Sequence, residues 1–248
     1  MQRVLLIDGL NLVRRIYEAR GAETGPEFVL AASQSLQRCL EDLRPSHGVV
    51  IWDSQDSTWR HQLDETYKAN RPATPKNLLA AIPDLNQAFL KLGINNLLLE
   101  GFEADDVIAT MAATLSNSSV EAVILSTDKM FYPLMASGAK VFHQFERHWI
   151  DIDPVEEKYH LKLDQLIDYW ALSGDNSNNI KGVPGIGKKT ATSLLQAFGS
   201  IQGIIESEGS DKVINHQEQA HRCQQLVRLK TDVELGVNLR DFRWVPSG

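Results

Sequence analysis

Short apolar runs that end on an acid recur through the first half of the chain. Val4-Leu5-Leu6-Ile7 stops at Asp8, Gly48-Val49-Val50-Ile51-Trp52 at Asp53, Leu97-Leu98-Leu99 at Glu100, and the run from Val120 to Thr127 at Asp128. Such runs, bounded by polar residues, are the pattern of strands buried on both faces. Helical periodicity fills the gaps: Leu12 to Ala19, Phe28 to Leu43 closed by Arg44-Pro45-Ser46, and the stretch after Glu103. The alternation predicts an α/β fold, a mostly parallel twisted sheet flanked by helices. In open sheets of this kind the active site lies outside the carboxyl ends of the strands. Asp8, Asp53, the cluster around Glu103 and Asp128 are therefore expected to converge on one edge.

That cluster is Glu100-Gly101-Phe102-Glu103-Ala104-Asp105-Asp106, at the start of an apolar helical run. Carboxylates suit a helix N-terminus, where amides are unpaired and the dipole is positive. Three within four positions exceed what capping requires, because they repel one another unless a cation sits among them. A solvated acidic first turn is the bland alternative, and a single acid after a strand is usually a cap or turn residue. Four successive strand–acid units are poorly explained by capping. They fit a divalent-metal site of hard oxygen ligands, the kind Mg²⁺ or Mn²⁺ prefers.

A long polar insertion separates the second and third strands. Tyr67 with Lys68 and Arg71 interleaves aromatic and basic residues in it, which suits stacked bases and phosphates, the rival being a solvated surface helix. The alternation stops after Asp151, and mostly helical pattern follows Pro154. The expected division is 1–153, an α/β metal-binding domain, and 154–248, a helical DNA-binding domain. Within the second lies Gly182-Val183-Pro184-Gly185-Ile186-Gly187-Lys188-Lys189-Thr190-Ala191. Its glycines permit a tight turn whose amides face outward at a helix start, a phosphate site, and two lysines in the first turn oppose the dipole unless an anion binds. The spacing is not that of a Walker A loop. It looks like a helix–hairpin–helix, a pair that holds a DNA backbone without reading bases, with Gly185, Ile186, Gly187, Lys188, Lys189 and Thr190 at the DNA. Turn carbonyls of such hairpins can also hold a monovalent cation. His216 to Lys230 forms a further amphipathic helix, and Phe242-Arg243-Trp244-Val245 carries no signal.

Composition changes this picture little. The net charge of −7 argues against nucleic acid, but its distribution does not: Asn176 to Ile205 contains no acid and three lysines, Lys181, Lys188 and Lys189. No apolar window is long enough to span a membrane, and Asp8 arrives too early for a secretory leader. Cys39 and Cys223, far apart in sequence, read as reduced thiols of a cytoplasmic protein. The seven histidines are scattered and show no His-x-x-x-His spacing.

Asp8, Asp53, Glu103-Ala104-Asp105-Asp106, Ser126-Thr127-Asp128-Lys129 and the Gly182 to Ala191 turn resemble, in order, the 5′ nuclease (flap endonuclease) family. Its members include the N-terminal domain of bacterial DNA polymerase I and phage exonucleases, and the resemblance spans residue 3 to about 235. It implies a PIN-like sheet domain with a helical arch, here about 60–95, threaded by single-stranded 5′ flaps. It further implies Mg²⁺-dependent hydrolysis of DNA near single/double-strand junctions by a monomer, with no membrane partner. Lys68, Arg71, Tyr67 and Arg15 match its catalytic positions, and Asp8, Asp53, Glu103, Asp105, Asp106, Asp128 and Asp175 its metal ligands. The backbones of Leu172, Ser173, Lys181, Val183 and Ile186 match its K⁺ site. The chain departs from the family at Met130 and Asn178, where many relatives have acids. One protein-held ion is therefore expected, with a second held by water and DNA and Mn²⁺ able to substitute. The alternatives are a DNA-junction binding protein that has lost useful catalysis and, less in keeping with the arch and hairpin, a ribonuclease of the same sheet type.

Overall fold

A computed structural model describes residues 2–116 and 118–245. The chain folds as two compact units, one of residues 1–56, 73–150 and 230–248, the other of residues 57–72 and 151–229. The partition differs from a single cut after residue 153, because the chain enters the second unit twice. Among the described residues no helix is long and apolar enough to cross a membrane.

The first unit is built on a six-stranded sheet of order β3-β2-β1-β4-β5-β6. The strands are β1 (Arg3–Asp8), β2 (His47–Trp52), β3 (Asn95–Leu98), β4 (Glu121–Leu125), β5 (Lys140–His143) and β6 (His148–Trp149). All neighbours are parallel except the β5–β6 pair. The apolar runs of β1, β2 and β4 are sealed between helices, and Val4, Leu6, Val50 and Ile124 have no exposed surface. The edge strand β3 alternates between half-buried and exposed residues. Strand order reverses between β1 and β4, so the crevice at their carboxyl ends is a topological switch point. Register sets Ile7 beside Leu125 and Asp8 beside Ile51, which brings Asp8 to that crevice.

Helix Gly9–Ala19 starts directly after β1. Gly9 is required there, since a Cβ would lie 2.6 Å from the Trp52 ring. Residues 60–95 contribute to both units. Trp59–Leu63 belongs to the second unit, whereas Lys76–Ala80 and Ile82–Lys91 pack in the first. The reason is an apolar stripe: Leu78, Ala81, Leu85 and Phe89 recur at helical spacing and join the core, and the Trp52 indole donates to Asn86 at 2.8 Å. The last residues also return to the first unit. The Trp244 amide donates to Ser46 O at 3.0 Å and its indole to Leu92 O at 2.8 Å, giving structure to a segment that carried no sequence signal.

The second unit is helical, with Leu166–Ser173, Lys188–Phe198 and Gln217–Val227 its longer inner elements. Arg60, 1% exposed, is satisfied at the end of the last: Nε donates to Leu226 O at 2.9 Å and Nη2 to Arg228 O at 3.1 Å. A guanidinium there meets carbonyls that lack helical partners and the negative end of the dipole. Each unit buries one thiol, Cys39 in the first and Cys223 in the second.

Candidate metal centre, loop clasp and glycine turn

In the first unit the expected acids gather at the carboxyl edge because each also performs a local structural task. Asp8 caps its helix, Oδ1 accepting from the Asn11 amide at 3.1 Å, while Oδ2 accepts from the Ser126 hydroxyl at 2.9 Å. That hydroxyl, fully buried past β4, accepts from the Asp128 amide at 3.1 Å. Asp53, past β2, accepts the Ala104 amide at 2.8 Å and so caps Ala104–Ser116, the helix that carries Asp105 and Asp106. Glu103 precedes it and is buried. Four chain segments thus deliver carboxylates to one edge.

The Asp8 carboxyl feels the charges of both Asp53 and Asp128. Burial, then Asp53, and more weakly Asp128, push the Asp8 carboxyl up to about 7, against the hydrogen bonds from Asn11 and Ser126. A divalent cation is the natural relief for such crowding, and an all-carboxylate donor set fits Mg²⁺ or Mn²⁺. Asp106 stands apart within the set. It is fully buried, and its Oδ1 accepts the Lys230 amide at 2.9 Å, a partner 124 residues away. Met130 is 7% exposed, its amide donates to Asp128 Oδ1 at 2.9 Å, and its thioether offers no anionic oxygen.

Sequence reading missed the residues that hold this edge. Asn11 takes the Thr127 amide on Oδ1 at 3.1 Å and the Gln144 Nε2 at 2.7 Å, tying the ends of β1, β4 and β5 together. The partners of Asn11 lie 116 and 133 residues away, which no local pattern encodes. Arg15 sits 4.8 Å from the Phe145 ring centre.

Tyr67, Lys68, Arg71 and Asp175 lie together in the second unit. Tyr67 is 5% exposed and meets His61 edge-on at 5.5 Å, and the Lys68 ammonium lies 5.2 Å from its ring centre. Lys68 itself adopts a left-handed conformation, φ 55°. The loop after Gly174 grips this segment. Asn178 donates from Nδ2 to Asp175 at 2.7 Å and accepts from Arg71 Nη2 at 2.9 Å. Arg71 Nε donates to Ser177 O at 2.6 Å, Asn70 to Asn176 O at 2.6 Å, and Asn179 to Thr66 O at 2.6 Å. Asparagine at 178 therefore joins a carboxylate to a guanidinium, a role an acid could not fill because it offers Asp175 no N–H.

The glycine turn is also in the second unit. A Cβ at Gly182 would lie 2.4 Å from the Gly174 nitrogen and 2.6 Å from Leu172 O, so its backbone passes directly over that of residues 172–174. Val183 N donates to Leu172 O at 2.8 Å and Ile186 N to Val183 O at 3.0 Å, which folds the expected carbonyl set of Leu172, Ser173, Lys181, Val183 and Ile186 into one loop crossing. Ile186 is 5% exposed and anchors the turn, whereas Gly185, Gly187, Lys188, Lys189 and Thr190 are exposed. Helix Lys188–Phe198 begins at Gly187 with no side-chain cap. Lys212 adds a cation the sequence reading did not single out, its ammonium donating to Gly185 O at 3.2 Å.

Two family models match consecutive parts of the chain. Residues 3–160 match the 5′-3′ exonuclease N-terminal resolvase-like domain, and residues 161–247 the 5′-3′ exonuclease C-terminal SAM fold. The flap endonuclease Xni of Tolumonas auensis is 38% identical over 258 residues, covering 99% of each chain. The flap endonuclease Xni of Psychromonas ingrahamii is also 38% identical, covering 98% of each. Among solved structures, the 5′-exonuclease of bacteriophage T5 with bound divalent metal ions (zinc) superposes with a TM-score of 0.78 at 22% identity, over 93% of this chain and 90% of that one. The catalytic core of Rad2 in complex with DNA substrate gives a TM-score of 0.61 at 14% identity, over all of this chain and 83% of that one.

Proposed function

Because the chain belongs to the 5′-3′ exonuclease family, we propose that it is a structure-selective, divalent-metal-dependent flap endonuclease, hydrolysing DNA phosphodiesters near single/double-strand junctions. The observation that carries this reading is the carboxylate edge. Several strand ends deliver acids to one crevice, and Asp8 is pushed up to about 7 by burial and by the charges of Asp53 and Asp128.

Asp8, Asp53, Glu103, Asp105 and Asp128 supply the oxygens that would hold Mg²⁺, directly or through water, and Asp106 fixes the Lys230 backbone beside them. Bound there, a divalent ion stabilises charge on the phosphoryl oxygens and lowers the pKa of the attacking water. Apolar Met130 and the neutral amide of Asn178 offer no further anionic oxygen, so a second ion depends on water and substrate phosphate. Lys68 is assigned as the electrophilic donor to the scissile phosphate and Arg71 as the clamp on the flap, with Tyr67 and Arg15 as supports. The Gly182 to Ala191 turn is read as a helix–hairpin–helix that would hold the duplex backbone, with the carbonyls of Leu172, Ser173, Lys181, Val183 and Ile186 as the groups that would hold K⁺. The protein acts in this reading as a cytoplasmic monomer.

The test is a time course on a 5′-flap substrate with Mg²⁺ or Mn²⁺. Wild type is expected to release the flap, while Asp105→Ala abolishes release and leaves DNA binding largely intact. Cleavage by Asp105→Ala would overturn the metal assignment. Binding by wild type without product would favour the junction-binding alternative.

A further inference from the structure

The hairpin joining β5 to β6 gathers a second set of metal-type side chains, of a different chemical class from the carboxylate edge. His143 and His148 are paired directly across the two strands, and their rings stack with centroids 5.3 Å apart and planes 12° from parallel. Glu146, in the intervening turn, reaches both: Oε1 is 3.9 Å from His143 Nε2, and Oε2 is 3.6 Å from His148 Nδ1. One donor atom from each of the three residues lies within 4.8 Å of the other two. In a tetrahedral zinc site, bonds of about 2.0–2.1 Å place neighbouring ligand atoms about 3.3 Å apart. The set needs only rotamer adjustment at an exposed turn to reach that separation.

We propose that His143, Glu146 and His148 form a binding site for a divalent cation of the zinc class, leaving one coordination position open to water.

The turn is held in shape by residues other than the three donors. Arg147 is left-handed at φ 55°, its amide bonds His143 O at 2.7 Å, and its Nε donates to Asp42 at 2.7 Å. Gln144 is 3% exposed and bonded to Asn11, and Phe145 lies against the Arg15 guanidinium. With residues 144, 145 and 147 fixed elsewhere, the donor side chains at 143, 146 and 148 remain together on the hairpin. Imidazole favours zinc-class ions over Mg²⁺, which takes oxygen ligands and keeps its water, so the hairpin and the carboxylate edge would not compete for the same ion. One bond opposes loading. The Glu146 amide donates to His143 Nδ1 at 3.1 Å, so Nε2 carries the ring proton until that bond is released, and water can replace the ring at this exposed amide.

Zn²⁺ titrated into the full-length protein, in competition with a chromophoric chelator and with millimolar Mg²⁺ present, tests the site without reference to catalysis. Wild type is expected to bind one Zn²⁺ that Mg²⁺ does not displace. His148→Ala and Glu146→Gln, both at exposed positions, should weaken it at least about tenfold, the scale of losing metal-site contacts. Asp105→Ala should leave it unchanged. The proposal is overturned if His148→Ala binds Zn²⁺ as wild type does, or if the Zn²⁺ is lost with Asp105→Ala or on adding Mg²⁺.

Discussion

Asp8 shows what a single residue at this edge costs the fold. Its pKa rises from 3.8 to about 7, so the folded state holds the proton more tightly than the unfolded one across that interval. Stability contributed by the protonated form is full below 3.8, falls as pH climbs from there, and is gone above about 7. Replacing the charge by an amide removes this penalty. Asp8→Asn is therefore expected to melt several degrees higher than wild type at pH 8 in EDTA, with the difference shrinking as pH falls toward 3.8, while losing flap cleavage. Equal melting curves at pH 8 would refute the account. The acid itself was legible, because it ends an apolar run. Its partners Ser126 and Asn11 were not, since a hydroxyl or amide has no distinctive spacing until the strands are ordered. Asp106 stood in the most conspicuous motif, yet one of its oxygens serves a backbone amide that only the folded chain brings near.

Between elements, the loop after Gly174 and the segment around Lys68 are joined by hydrogen bonds from side-chain amides and the Arg71 guanidinium. Asn178→Ala removes both the bond to Asp175 and the bond from Arg71, each partner losing a buried or half-buried hydrogen bond at about 1–3 kcal/mol. A fall of several degrees in Tm is expected, with flap cleavage reduced because Lys68 and Arg71 lose their fixed loop. Asn178→Asp is the sharper variant. A second carboxylate beside Asp175, which is 4% exposed, should destabilise the metal-free protein, and Mn²⁺ should recover the loss. Thermal melts with EDTA and with Mn²⁺ measure both. The loop's polarity was plain in the sequence, but its pairing with residues 66–71 was not. The same limit explains the helices after Pro75. Their stripe of Leu78, Leu85 and Phe89 is ordinary core periodicity, and the surface that receives it exists only once the chain is folded. Strands β1, β2 and β4 were legible almost to their ends, because sheet burial on both faces leaves a continuous apolar run, whereas the edge strands β3 and β6 lack that burial.

For the whole molecule, a net charge of −7 means that DNA must be held by local positive charge. Lys188 and Lys189 are exposed at an uncapped helix start, with Lys212 beside Gly185. Each lysine that meets a phosphate contributes about 0.9 to the slope of log affinity against log salt, so Lys188→Ala with Lys189→Ala should flatten that slope by up to roughly 2. Binding measured by anisotropy from 50 to 200 mM salt checks it, and an unchanged slope would place the duplex elsewhere. The discontinuous units also predict that a polypeptide of residues 1–153 lacks the Lys230 amide that satisfies Asp106 and the Trp244 bonds to Ser46 and Leu92. Circular dichroism and urea unfolding should show it far less stable than the full chain. The two buried thiols give the same partition a kinetic reading. Burial pushes Cys39 up to about 11 and raises Cys223 as well, so neither reacts as a thiolate while its unit stays closed. Each unit thus carries its own clock. The labelling rate of Cys39 reports how often the sheet unit opens, that of Cys223 how often the helical unit does, and single-cysteine variants would separate the two openings in one native protein.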